Sequence, residues 1–73
     1  MNIEIEDFKT GWFGLTIGLK PEDIENLIKR LELLRQDAER HFHIFSDCEG
    51  PGGVGDIEFY VQGSDQADNV TLE

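Results

Sequence analysis

Polar and apolar residues alternate at the start of the chain. Over Asn2–Phe8, Ile3 and Ile5 face one way and Glu4 and Glu6 the other, the period-two pattern of a half-buried strand. Asp7–Gly11 supplies turn formers, with Gly11 free to take a positive φ. Alternation resumes over Trp12–Leu19. Phe13, Leu15, Ile17 and Leu19 form the core side; Trp12, Gly14, Thr16 and Gly18 form the other, where the glycines leave room for a close approach. The period then changes to that of a helix, predicted from Pro21 to about Arg40. Its apolar stripe is Ile24, Leu27, Ile28, Leu31, Leu34 and Ala38. Pro21 suits the first helical position, and Glu22 and Asp23 complement the positive end of the dipole. Leu19 is placed to staple onto Ile24, and Glu25–Lys29 is an i,i+4 pair in the favoured orientation. Leu33 lies off the stripe, as a singly exposed leucine or as a contact residue. Two further strands follow: His41–Ser46, with Phe42 and Ile44 inward, and Asp56–Gln62, with Ile57, Phe59 and Val61 inward.

These elements give the order ββαββ. The expected fold is α+β: a single domain over residues 1–73, with a four-stranded antiparallel sheet and one helix packed on one face. Residues 63–73 read as an acidic tail that frays or adds an edge strand to a partner. One helix covers only one side of such a sheet. The other side would hold Trp12, Thr16, His41, His43, Phe45 and Tyr60 with Glu4, Glu6 and Glu58. Exposed aromatic surface of that kind marks an interaction site, and Trp and Tyr are favoured anchors. A second copy of the chain and a foreign protein both fit it.

Length sharpens this reading. A domain of 73 residues buries only roughly 60% of its unfolded surface and usually needs a disulfide, a metal or a partner. A lone Cys48 forms no internal disulfide, so a homodimer is expected. Charge narrows the partners. Sixteen acids against six bases give a formal charge of −10, and beyond Arg40 there are seven acids and no Lys or Arg. Such a surface repels phosphate backbones and anionic lipid, which argues against nucleic acid and membrane. It favours solubility or a basic protein partner. No apolar run approaches the roughly 20 residues that span a bilayer. MNIEIEDF lacks the charged and apolar regions of a signal peptide, and the free cysteine suits a reducing compartment. The expected location is the cytoplasm.

The residues with chemical potential cluster in HFHIFSDCEGPGGVGDIEFYV, His41–Val61. His41 and His43 fall on one side of a strand about 7 Å apart, and with Glu58 or Cys48 could ligate Zn, Ni or Cu. Two ligands fall short of four, so this metal site is the alternative to simple hydrogen bonding. A reactive cysteine wants an electropositive setting, whereas Asp47 and Glu49 flank Cys48. The glycine-rich loop Glu49–Asp56 lacks the Gly-Lys-Ser/Thr ending and following helix of a phosphate-binding loop. No catalytic group and no cofactor are therefore expected. The expected protein-binding residues are Trp12, His43, Phe45 and Tyr60, with Glu49, Asp56 and Glu58 as charged contacts.

Taken with the preceding WFGLTIGL and PEDIENLIKRLELL, the His41–Val61 stretch resembles the small immunity proteins of bacterial polymorphic toxin systems. The resemblance spans roughly Trp12–Val61: an aromatic-rich strand, a helix with a Leu-Ile stripe, an HFH-like strand and a Gly-Asp-Ile strand. It implies a protein that binds and neutralises a cognate toxin. These motifs are structural, and no family binding residue is carried over to this chain.

Overall fold

The computed structural model describes residues 1–73. The five elements follow in the expected order: β1 (Asn2–Asp7), β2 (Phe13–Gly18), α1 (Pro21–Gln36), β3 (His41–Phe45) and β4 (Asp56–Tyr60). Both hairpins are antiparallel, and both have the phase that alternation predicts. In hairpin 1, Ile3 pairs with Ile17 and Ile5 with Leu15. In hairpin 2, Phe42 pairs with Phe59 and Ile44 with Ile57, and the Phe42 and Phe59 rings stack 4.8 Å apart.

The expected single four-stranded sheet is not formed. β1–β2 and β3–β4 are two separate two-stranded sheets. One constraint on hairpin 1 lies at the start of the helix. Asp23, in the first turn of α1, accepts hydrogen bonds from the Lys20 backbone N–H (3.0 Å) and pairs with the Met1 ammonium (3.0 Å). This holds the beginning of β1 at the helix N-terminus. Two clefts between hairpin 1 and the rest of the chain are lined on its side by Met1, Asn2 and Ile3 only. The hairpins thus approach through the open end of hairpin 1, with no ladder between their edges. One cleft, of about 340 Å³, lies between Asn2–Ile3 and Ile44–Phe45.

The helix is shorter than its apolar spacing suggests. It stops at Gln36, and Asp37 is extended at φ −145°. The Asp37 carboxylate accepts from the Glu39 N–H (3.0 Å) and from Arg40 Nε (3.4 Å). This local turn competes with the helical ladder, as Asp side chains commonly do. Ala38 therefore drops out of the stripe. The strands also end one or two residues short of their expected limits, and no regular structure follows β4.

Burial is sparse and one-sided. Leu34 is the one buried residue, at 8% exposure. Leu27, Phe42, Ile44, Ile57 and Phe59 are half-buried. On α1, Leu27 and Leu34 are the covered apolar residues and each lines a cleft with Phe42, while Ile24, Ile28 and Leu31 stay exposed. On hairpin 1, Gly14 has a structural role. A Cβ there would lie 2.7 Å from Phe8 Cζ, so the missing side chain lets the Phe8 ring lie across the strand.

Leu34→Ala is expected to destabilise the chain by about 2–3 kcal/mol, because it empties the centre of the core; urea denaturation measures it. The Lys20 N–H and then the Met1 ammonium hold the Asp23 carboxyl below its ordinary range. A lowered folded-state pKa gives stability that is present at neutral pH and lost as pH falls through that pKa. Asp23→Asn should therefore melt below wild type at pH 7, with the gap closing in acid. A gap that is unchanged in acid would show that the ionised carboxylate is not its source.

Candidate protein-binding face

Strand register builds the site. In hairpin 2, His41 lies opposite Tyr60, His43 opposite Glu58 and Phe45 opposite Asp56. These six alternate with Phe42, Ile44, Ile57 and Phe59, so they fall together on one side of the hairpin. Five of the seven residues expected to bind a protein thus share one face: His43, Phe45, Asp56, Glu58 and Tyr60.

Its centre is His43. The Nδ1 atom meets both Asp56 oxygens, at 2.9 and 3.1 Å. Nε2 lies 3.7 Å from Glu58 Oε1. The imidazole stacks on Phe45 (5.2 Å between centroids, 10° between planes) and meets His41 edge-on at 5.2 Å. Asp56 thus fixes the ring, and the ring gives Phe45 one supported side. The other side is open: Phe45 is 73% exposed and Tyr60 52%. The face combines apolar surface with two carboxylates, and no Lys or Arg lies on either strand.

The tail contributes a contact that alternation alone does not reveal. Tyr60 Oη pairs with the Gln66 amide, donating to Oε1 (3.0 Å) and accepting from Nε2 (2.7 Å). Gln62 Nε2 donates to the Gln66 carbonyl (2.7 Å) and to Asp68 Oδ1 (2.9 Å). The start of the tail is thereby folded back beside β4. Glutamines at positions 62 and 66 are the only sequence signal for this turn.

Trp12 and Glu49 lie elsewhere. Trp12, 76% exposed, belongs to the connection of hairpin 1, and its carbonyl accepts from the Phe8 N–H (3.1 Å). Because hairpin 1 is a separate sheet, Trp12 does not extend the hairpin 2 face by strand pairing. Glu49 sits in the β3–β4 loop, where its N–H donates to Asp47 Oδ1 (3.0 Å). That loop encloses a small cleft of about 140 Å³ lined mainly by its own backbone, from Ser46 to Gly55.

The metal alternative can be placed against the same geometry. No group of three or more His, Cys, Asp or Glu side chains is arranged to hold an ion. His43 Nδ1 is engaged by Asp56, and Cys48 Sγ donates to the Ser46 carbonyl (3.8 Å). Cys48 itself takes φ 57°, its N–H donating to Ser46 Oγ (2.9 Å).

Comparison with protein-family models, with curated proteins and with solved structures returned no match to this chain. No helix is long and apolar enough to cross a membrane.

Cys48→Gly should raise stability by about 1 kcal/mol, since the left-handed conformation costs a side-chain-bearing residue roughly that much and glycine little. Chemical denaturation reads the gain. A loss would mean that the thiol contact outweighs the backbone strain.

Proposed function

We propose that this chain is a non-enzymatic protein-binding protein of the immunity type, which captures a basic protein, a toxin, on the outer face of hairpin 2. One observation carries the reading: Phe45 and Tyr60 stand exposed beside Asp56 and Glu58 on a face that His43 organises. Exposed aromatics supply anchors that desolvate on contact. The carboxylates supply a field that steers a cationic partner and excludes anionic ones. The overall charge of −10 acts in the same direction. The resemblance of Trp12–Val61 to immunity proteins agrees with this chemistry, and it alone supplies the toxin as the partner.

The β3–β4 loop that joins the two strands of this face carries two further exposed acids, Asp47 and Glu49. Trp12 is a separate anchor, used where the partner is large enough to reach hairpin 1.

The test is binding of the product of the gene beside this one, measured by calorimetry and stopped-flow mixing. Tyr60→Ala should weaken binding about 30-fold or more, the range of a truncated hot-spot aromatic. Glu58→Lys should chiefly slow association, and the difference should shrink at high salt. Unchanged affinity in both variants would remove hairpin 2 as the capture face.

A further inference from the structure

We infer that two copies of this chain form a symmetric dimer through the surface that hairpin 2 leaves uncovered: the apolar face of hairpin 1 and the outer part of the α1 stripe. In this arrangement the hairpin 1 face of each protomer lies on Ile24, Ile28 and Leu31 of the other, and the capture face of hairpin 2 points outward.

The area argument is quantitative. A folded monomer of 8.3 kDa is expected to expose about 4,600 Å², from the power-law scaling of surface with mass. This chain exposes 6710 Å², an excess of about 2,100 Å². Obligate homodimers bury roughly 1,000–2,500 Å² on each partner, so the excess is of the size that one protomer's share of such an interface requires. Shape agrees. The radius of gyration is 14.3 Å, against about 11 Å for a compact domain of this length.

The uncovered surface is also the right kind. Register puts Ile5, Leu15 and Ile17 on one side of hairpin 1, with Phe13 at its end. Phe13 is 64% exposed there, and Ile28 is 56% exposed on the helix. None of these residues is charged. A chain of charge −10 meeting its own copy gains nothing from long-range attraction, so its contact must be apolar, as this surface is. A flat strand face and a helix stripe on the same chain are mutually complementary. A two-fold axis satisfies both at once, each surface meeting the other's counterpart. The chain's own hairpin 1 does not occupy this helix face, since it is held at the helix N-terminus and its residues remain open.

This dimer does not rest on the capture reading and is tested without any foreign partner. Light scattering on the purified full chain should give twice 8.3 kDa, and the melting temperature should rise with protein concentration, as it does for a folded oligomer. Raising salt should tighten the dimer severalfold by screening the repulsion of two acidic chains. Leu15→Lys and Ile28→Lys should each shift the mass toward monomer, whereas Phe45→Ala and Tyr60→Ala should leave the dimer intact. If the lysine variants fail to fold, the concentration dependence of wild-type melting still decides. A monomer of 8.3 kDa with a concentration-independent melting temperature would overturn the inference, with hairpin 1 closing on its own helix. Dissociation by the Phe45 or Tyr60 variants, or by salt, would overturn it too, by placing the contact on the charged face.

Discussion

The apolar stripe of α1 is wider than the hairpin it packs on, and most of the architecture follows from that mismatch. Leu27 and Leu34 are covered and border Phe42 of hairpin 2; Ile24, Ile28 and Leu31 lie further round the helix and remain exposed. A stripe of this width is normal for a helix covered on more than one side. In this chain hairpin 2 supplies one side. Hairpin 1 carries a second apolar face of matching composition but meets the helix only at its N-terminal end, through Met1 and Asp23. The protein therefore has two apolar surfaces in search of cover and a third, acidic and aromatic, whose geometry is already organised.

These surfaces differ in how they are built. The hairpin 1 face consists of side chains supported only by their own strand pair. The hairpin 2 face is cross-linked. Asp56 holds His43, His43 supports Phe45, and Gln66 holds Tyr60 from the tail. Proteins that engage a foreign partner reversibly need a face that persists in the free state. Apolar surfaces left loose and uncharged are better suited to permanent burial. The proposed division of labour between self-association and capture rests on this contrast.

Much of this was legible in the sequence. Alternation placed Ile3, Ile5, Leu15 and Ile17 on one side of hairpin 1, and His41, His43 and Phe45 on the outer side of hairpin 2. Pro21 and the acids after it marked the helix start. What alternation cannot encode is which strand edges pair, because it reports only the face toward which a side chain points. Alternation fits one sheet and two separate sheets equally well, and the hairpins close separately. The early helix stop at Gln36 was equally invisible to periodicity. Ala38 keeps the stripe's spacing, but the Asp37 side chain takes the local N–H donors first. Trp12 shares a face with the hairpin 2 residues only in a single sheet, and separation of the sheets divides it from them, whereas Glu49 stays in the loop that joins β3 to β4.

The stacking of His43 on Phe45 has a consequence for flexibility. A solvent-exposed phenylalanine ordinarily samples several rotamers and surrenders them when a partner settles on it, at a cost of roughly 0.5–1.5 kcal/mol for an immobilised side chain. Here the ring already lies parallel to an imidazole whose own orientation is set by two carboxylate contacts. Part of that entropy is surrendered on folding, before any encounter. The chain carries the loss as reduced stability of the free protein, in exchange for an exposed ring already set in one pose.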